Sequence, residues 1–565
     1  MKLKKIIGSL KKRGIKGSFL RLKNGNPKIN TIDFWSFITN QKSIPFSKED
    51  YEKHRNEEIT LNWVIPEMGV GSGGHINIFR FISYLERHGI HNRIYLYRAA
   101  NFFDNESVRK FVKKYFTILD QNAEVFCDVK YMEYAHGTVA TSWDTAYHVK
   151  NFNNTISKFY FVQDFEPYFF AHGSEYEFAE NTYKFGFRGL TAGDWLKDIC
   201  INQYNMKADS FGFSYDKELY KPKEKKDSIK RVFFYARPVT PRRDFELGLL
   251  ALNELTKKMP EVEVVFAGWD VSAYEIPFKH VNKGIVSLEN LSDLYATCDL
   301  CLIISNTNLS LLPLEVMASG SVAVCSKGPN SEWLVNEENS ILVDYDPIQI
   351  ADTLIEYLNN PEKLSAIRNK GIEFAINTSW ENEGEKVKKA IMKGIKEDEE
   401  CMLVVSGVKH AYILKKFEDR KDFITLFIKN IVFVDSFDEI DDEILKFSVA
   451  NFDGKIEDRL EVIKKRINPK FRVVTTGNVW FDIFYKTINK GTSLQHLLDL
   501  LGISNEEAGA FGDQMNDYEM LQTVKYGYAM ANAMPPVKEV AYQVIDSNEN
   551  DGVILKIKEI LKGNY

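Results

Sequence analysis

Cysteine is scarce in this sequence, with six residues scattered through 565. A disulfide framework would instead be dense and confined to a small secreted unit. The one CxxC, Cys298 and Cys301 in CDLC, has no second pair and no histidine cluster at zinc-ligand spacing. Structural burial is therefore the expectation for both. No run of about 18 or more apolar residues occurs, which argues against a membrane-spanning helix. The start also lacks the apolar core and small-residue cleavage site of a secretory signal. These absences point to a cytoplasmic chain. No repeat of fixed period is present, which argues against a solenoid. Acid is missing from the first 25 residues, which hold nine Lys or Arg, and Asp33 is the first acidic position. Leu3, Ile6, Ile7 and Leu10 fall at helical spacing in that stretch. One reading is a basic helix on the anionic inner face of a membrane, each cation contributing on the order of 1 kcal/mol. The other is a solvated basic tail. The remainder is acidic enough to bring the net charge to -6, which disfavours nucleic acid as a partner.

The length suggests three or four compact units at roughly 150 residues each. Hydrophobic residues at 44% and charged residues at 27% are those of a globular chain. From about residue 59, short apolar runs alternate with helix-period segments, as in βαβ units of a parallel sheet. ITLNWVIP (59–66) reads as a strand and HINIFRFISYLERHG (75–89) as the following helix. A second series opens at RVFFYAR (231–237) and a third at CMLVVSG (401–407). The expected division is a basic lead over 1–52, two doubly wound domains over 53–222 and 223–398, and a third α/β unit over 399–565. The charged KEDEE (396–400) reads as a junction. The last helix of the second domain is expected to pack back on the first.

Three stretches carry the chemistry of a first site. The loop EMGVGSGGH (67–75) sits between strand and helix, where glycines allow close backbone approach and free amides favour an anion. YARPVTPRRDF (235–245) places Arg237 at a strand end and Arg242 before a helix, so both guanidiniums can converge on a diphosphate. Either arginine alone would read as a solvated surface cation. LPLEVMASG (312–320) puts Glu315 early in a helix, where a carboxylate can accept from ribose hydroxyls; the helix dipole favours an acid there in any case.

This ordered set, with FGFSYDKELYKP (211–222), resembles retaining GT-B glycosyltransferases of family four over about residues 55–395. WVIPEMGVGSGGH, FVQDFEPYFFAHGSEYEFAENTY (161–183) and FYARPVTPRR look like the rhamnosyltransferases of surface polysaccharides and S-layer glycans. The resemblance implies transfer from a nucleoside-diphosphate sugar, with dTDP-L-rhamnose favoured, to a lipid-linked glycan, by an enzyme peripheral to the inner membrane face. It implies no required cofactor. Arg237, Arg242 and the amides of Gly73 and Gly74 would hold the diphosphate, Glu315 the ribose, and Asp164 would orient donor or acceptor. The family's Glu-x7-Glu has Thr307 at its first position, its phosphate-clamp Lys aligns with Arg242, and Gln163–Asp164 stands where many relatives have a His. The aromatic group Phe165, Tyr168, Phe169, Phe170 and Tyr176 reads either as core or as a sugar-stacking surface.

The C-terminal stretch resembles the later part of Cof-type haloacid dehalogenase (HAD) phosphatases. INKGTSLQHLLDLLGI (488–503) supplies Lys490, and AFGDQMNDYEML (510–521) supplies Asp513, Asn516 and Asp517. The resemblance implies a cap over about 401–485 and a partial core over 486–565. Asp513, Asn516 and Asp517 would hold magnesium, with Lys490 binding phosphate. The DxDGT-like strand that carries the nucleophile in that family is missing. VDSFDEIDD (434–442) lacks the motif's glycine and threonine, and NFDGK (451–455) has Asn where the nucleophile belongs. The unit therefore reads as a truncated HAD domain whose exposed strand edge invites self-association or a partner strand. A magnesium-dependent sugar-phosphate phosphatase and a non-catalytic assembly module are the alternatives to glycosyl transfer.

Overall fold

The computed structural model describes residues 30–563 apart from 453–455, 457–459, 461–462, 465–466 and 476–478. The basic segment 1–25 and the NFDGK turn lie wholly or partly outside the described residues. The chain divides into compact units after Ser43. Within the first, Asn30 caps the short helix Thr31–Trp35, its side chain accepting from Asp33 N at 3.1 Å.

In the second unit, near-continuous apolar runs form buried parallel strands, as expected where helices cover both faces of a sheet. The first sheet holds β1 (Thr60–Pro66), β2 (His91–Tyr97), β3 (Glu124–Phe126), β4 (Ala135–Ala140), β5 (Thr155–Val162), β6 (Arg188–Ala192) and β7 (Ala208–Phe211), in the order β3-β2-β1-β4-β5-β6-β7. The second holds β8 (Arg231–Tyr235), β9 (Glu263–Ala267), β10 (His280–Asn282), β11 (Leu300–Ile303), β12 (Val322–Ser326) and β13 (Ile341–Val343), in the order β10-β9-β8-β11-β12-β13. Both reverse their winding beside the first strand, between β1 and β4 and between β8 and β11. At such switch points the loops leaving the carboxyl ends of the strands diverge and open a crevice. The two crevices face each other, and this pair of doubly wound sheets is a GT-B fold. Cys298 and Cys301 are free thiols buried in its second half.

Helix α1 (Gly73–Arg87) follows β1, α2 (Phe245–Lys258) follows β8, and α3 (Leu312–Ala318) follows β11. Helix α4 (Trp380–Glu400) starts at the end of the second sheet's domain and packs on α1, β5 and β7 of the first. Two glycines permit that contact. A Cβ on Gly384 would lie 2.3 Å from Tyr84 Cγ, and one on Gly394 would lie 2.8 Å from Phe159 Cε1.

The KEDEE junction is helical: it forms the last turn of α4, which runs without a break into the third sheet. Its charges serve the first sheet: Asp398 and Glu397 pair with Arg188, Glu397 also pairs with Lys207 at 3.2 Å, and Glu399 accepts from Tyr51 Oη at 2.8 Å. The charges of this junction make an acidic helix end fastened to basic and hydroxyl groups of several other elements.

The third sheet is mixed: β14 (Cys401–Gly407), β15 (Ala411–Leu414), β16 (Ile431–Val434), β17 (Ile444–Asn451), β18 (Phe471–Thr475) and β19 (Trp480–Tyr485), in the order β16-β15-β14-β17-β19-β18. Helix α5 (Lys490–Leu501) leads to a parallel sheet of β20 (Gly509–Gly512), β21 (Tyr526–Met530) and β22 (Gln543–Ile545). Strand β20 is the edge, with β21 as its single partner among the described residues. No described helix is long and apolar enough to cross a membrane.

Candidate functional site

Two adjoining cavities fill the crevice. The first, about 330 Å³, is lined by Gly73 and Arg80 from α1, by Tyr220 and Arg237, and by Glu315 from α3. The second, about 310 Å³, is lined by Gly74, Asp164, Glu166, Phe169 and Arg242. Asn77, Arg243 and Ser310 line both. The predicted arginine pair is thus divided, with Arg237 in the first cavity and Arg242 in the second. Arg243, which the sequence reading passed over, joins them.

The glycine loop turns sharply at Gly71, where φ is 74°, a left-handed value that favours glycine. Gly73 and Gly74 open α1, so their amides belong to the first turn, which has no intrahelical acceptors. A Cβ on Gly73 would meet nothing within 4 Å, leaving its backbone approachable from the cavity. His75 fixes the loop. Its Nε2 lies 3.1 Å from the Pro66 carbonyl, which can only accept, so Nε2 carries the proton and Nδ1 accepts from Ser72 Oγ at 2.7 Å. Burial holds this imidazole below its usual pKa and therefore neutral.

The cation cluster comes from the loop after β8. Arg237 donates to Gly268 O at 3.2 Å and lies 5.8 Å over the Trp269 ring. Arg242 stacks 3.9 Å over Phe169, and its Nε is 3.8 Å from Asp164 Oδ2 without a hydrogen bond. Arg243 Nη1 is likewise buried and unpartnered, as are Arg80 Nε and Asn77 Oδ1. Buried polar atoms are ordinarily paired, so the unmet donors of Arg80, Arg242 and Arg243 gathered at one crevice mark a place for an anionic ligand. Burial and mutual repulsion pull Arg242 below the usual guanidinium value, and Asp164 opposes that trend.

Asp164 spans the crevice. It leaves the end of β5, and its Oδ2 accepts from Thr307 Oγ1 at 2.9 Å while Oδ1 accepts from Asn308 N at 3.2 Å. Asn308 Nδ2 returns a bond to Gln163 O at 2.8 Å. Burial raises the Asp164 carboxyl, while Arg243, the Asn308 amide and Arg242 draw it back. Glu315 sits at the floor of the first cavity. Burial pushes its carboxyl up to about 7, with the Tyr220 hydroxyl and Arg80 pulling the other way.

Glu166 was also missed. It lines the second cavity, accepts from Trp143 N and from Tyr160 Oη at 3.1 Å, and is pushed by burial up to about 8, so it holds a proton at neutral pH. An acid flanked by Phe165 and Pro167 was the available signal. The aromatic group divides: Phe165 is buried in the core, Tyr168 is half exposed, and Phe169 serves as the seat of Arg242.

The C-terminal residues form a separate constellation. Lys490 begins α5 and its ammonium pairs with Asp517 Oδ1. Asp517 Oδ2 accepts from the amides of Asp513 at 3.0 Å and Gln514 at 3.1 Å. Asn516 Oδ1 is buried without a partner. Asp517 is therefore engaged on both oxygens, leaving the Asp513 carboxylate and one amide oxygen to face a cation. Magnesium takes near-octahedral oxygen coordination, and no group of three or more His, Cys, Asp or Glu suited to a metal occurs among the described residues. Magnesium usually keeps several waters and is held through one or two carboxylates, so Asp513 and Asn516 are the protein oxygens this set would offer it.

A family model described as haloacid dehalogenase-like hydrolase matches residues 381–557, and one described as the C-terminal domain of WsaF matches 230–355. The O-antigen biosynthesis protein RfbC of Myxococcus xanthus is 29% identical over 64% of this chain and 30% of its own length. The 5-amino-6-(5-phospho-D-ribitylamino)uracil phosphatase YbjI of Escherichia coli is 32% identical over 29% of this chain and 60% of its own. The chain thus spans less than a third of the first relative and three fifths of the second. Among solved structures, S. aureus TarM overlaps 59% of this chain and 99% of its own, with 10% identity and a TM-score of 0.48. At that score the overlap adds nothing to the strand order. The hydrolase match begins inside α4, so this helix closes the GT-B fold and also opens the C-terminal unit.

Proposed function

We propose that the chain is a retaining family-four glycosyltransferase that moves L-rhamnose from dTDP-L-rhamnose to a lipid-linked surface glycan at the inner membrane face. The observation that carries this reading is the pair of buried cationic donors without protein partners, Arg242 Nε and Arg243 Nη1, opposite the α1 amides. Charge-assisted donors fixed before reaction suit a departing diphosphate, whose charge grows as the sugar bond breaks. Arg237, Arg242, Arg243 and the Gly73 amide would take that charge. Glu315 would accept from the ribose hydroxyls. The acceptor would approach through the second cavity, beside Asp164, and attack the sugar on the face the diphosphate leaves. Such a step needs neither a protein nucleophile nor a metal. The similarity to RfbC supports a role in surface-glycan synthesis, and the basic segment before residue 25 suits a membrane-bound acceptor.

The test is donor turnover. Incubation with dTDP-rhamnose, UDP-glucose and a generic phosphate ester, with and without magnesium, should release nucleoside diphosphate from the first donor. That release should disappear in Arg242→Ala and Glu315→Ala. Turnover unaffected by both substitutions, or magnesium-dependent ester hydrolysis lost in Asp513→Ala, would overturn the reading. For the C-terminal unit we propose an assembly role.

A further inference from the structure

A third cavity, about 380 Å³, lies away from the crevice, between the first sheet and the start of the third. Two lysines face it from opposite sides. Lys158, on β5, donates to Lys150 O at 2.6 Å and to Asn153 Oδ1 at 2.7 Å. Lys416, just after β15, donates to Ile156 O at 3.0 Å. An ammonium has three N–H donors, so Lys158 has one left and Lys416 two.

The carboxylates around this cavity are committed elsewhere. Asp398 is held by Arg188 and by Ser157 Oγ at 2.8 Å; it attracts Lys416 without reaching ion-pair distance. Asp435 pairs with Lys415 at 2.6 Å and accepts from Phe46 N at 2.9 Å. Asp438 pairs with Lys150 at 2.9 Å. Among the described residues, neither Lys158 nor Lys416 has an acid within 4.0 Å. Two such ammonium groups, taken out of water and repelling each other, are costly unless a negative charge is supplied. Burial accordingly pulls Lys158 down to about 7, with Lys416 adding to the shift. Phe185, Phe187 and Phe437 complete the wall and offer an apolar surface beside the charge.

We propose that this cavity binds a small oxyanion of the phosphate or phosphate-monoester class between Lys158 and Lys416, with the phenylalanines covering any organic part. The anion neutralises both ammonium groups and cross-links β5 to the C-terminal unit. β5 ends at Val162 and leads directly into Gln163 and Asp164, so one strand connects this site to the crevice.

Inorganic phosphate is the probe, titrated calorimetrically into the full chain carrying Arg242→Ala and Arg243→Ala to silence the crevice. One phosphate per chain should bind, and Lys158→Met or Lys416→Met should weaken it at least tenfold while thermal unfolding stays cooperative. Unchanged affinity in both lysine variants, or no binding in the arginine background, overturns the proposal. Should a lysine variant not fold, Phe437→Trp in the otherwise intact chain reports directly. A saturable fluorescence change with phosphate supports the site, and a flat response removes it.

Discussion

Thr307 donates across the crevice to Asp164, 2.9 Å from Oγ1 to Oδ2, so a side-chain hydrogen bond joins the two halves of the GT-B fold. A carboxylate thus reaches residue 307 from the other half, carried two residues beyond the end of β5. Asp164→Ala should lower kcat on the order of a hundredfold, the scale of losing one fixed electrostatic contact. Thr307→Val removes the hydroxyl but leaves the charge, and should cost roughly 1–3 kcal/mol for the unmet buried acceptor. Steady-state kinetics on both variants checks the order; a milder effect for Asp164→Ala than for Thr307→Val would contradict it.

Arg243 should matter to donor affinity as much as Arg242. Hydrogen bonds to charged groups contribute about 1.5–3 kcal/mol, so Arg243→Met should weaken dTDP about tenfold to a hundredfold by calorimetry. A variant that binds dTDP normally would show that the shared wall of the two cavities does not hold the phosphates.

Donor affinity should fall as pH drops through about 7, because Glu315 then gains a proton and loses an acceptor oxygen. Glu315→Gln should flatten this profile. Stability moves the opposite way. The folded pKa exceeds the unfolded one, so this group's favourable contribution is fully present below about 4.5 and lost as pH rises toward 7. Denaturation midpoints of the parent and Glu315→Gln between pH 4.5 and 8 check the sign.

Gly384→Val and Gly394→Val should destabilise the chain by about 1–3 kcal/mol each through overpacking against Tyr84 and Phe159. Gly502→Ala, at a left-handed helix cap with nothing within 4 Å, is the control for backbone strain without a clash. Chemical denaturation that ranks Gly502→Ala as the most damaging of the three would show that close packing of α4 is not the controlling effect.

The C-terminal unit should hydrolyse no phosphate ester in a manner that depends on Asp513. Asp517 is consumed by Lys490 and two amides, and the DxDGT-like strand that carries the family's nucleophile has no counterpart in the sequence. Magnesium-dependent turnover of p-nitrophenyl phosphate that vanishes in Asp513→Asn is the contrary outcome.

The two doubly wound sheets were legible because their central strands are largely buried and read as short apolar runs, such as VFFY (232–235). Arg237, Arg242 and Glu315 stood at strand and helix ends, where spacing alone places them in a crevice. Arg243 was hidden by its neighbour, since two adjacent arginines in a loop give no sign of which one is enclosed. The Asp164–Thr307 link joins residues 143 positions apart and has no local signature. The role of α4's acidic end was equally invisible, because Arg188, Lys207 and Tyr51 are distant in sequence. Lys158 lies inside an apolar run, TISKFYFV, but its partner across the cavity lies in the turn after β15, more than 250 positions on.

Because α4 continues directly into β14 while lying against β5 and β7, the C-terminal unit is splinted to the first half of the GT-B fold. The chain crosses between the halves at only two places, over residues 212–230 and 377–380. Any rotation that opens the crevice must pivot there, swinging the second sheet alone while the C-terminal unit rides as ballast with the first. Spin labels on α2 and β17 should change separation when donor binds, and labels on α1 and β17 should not.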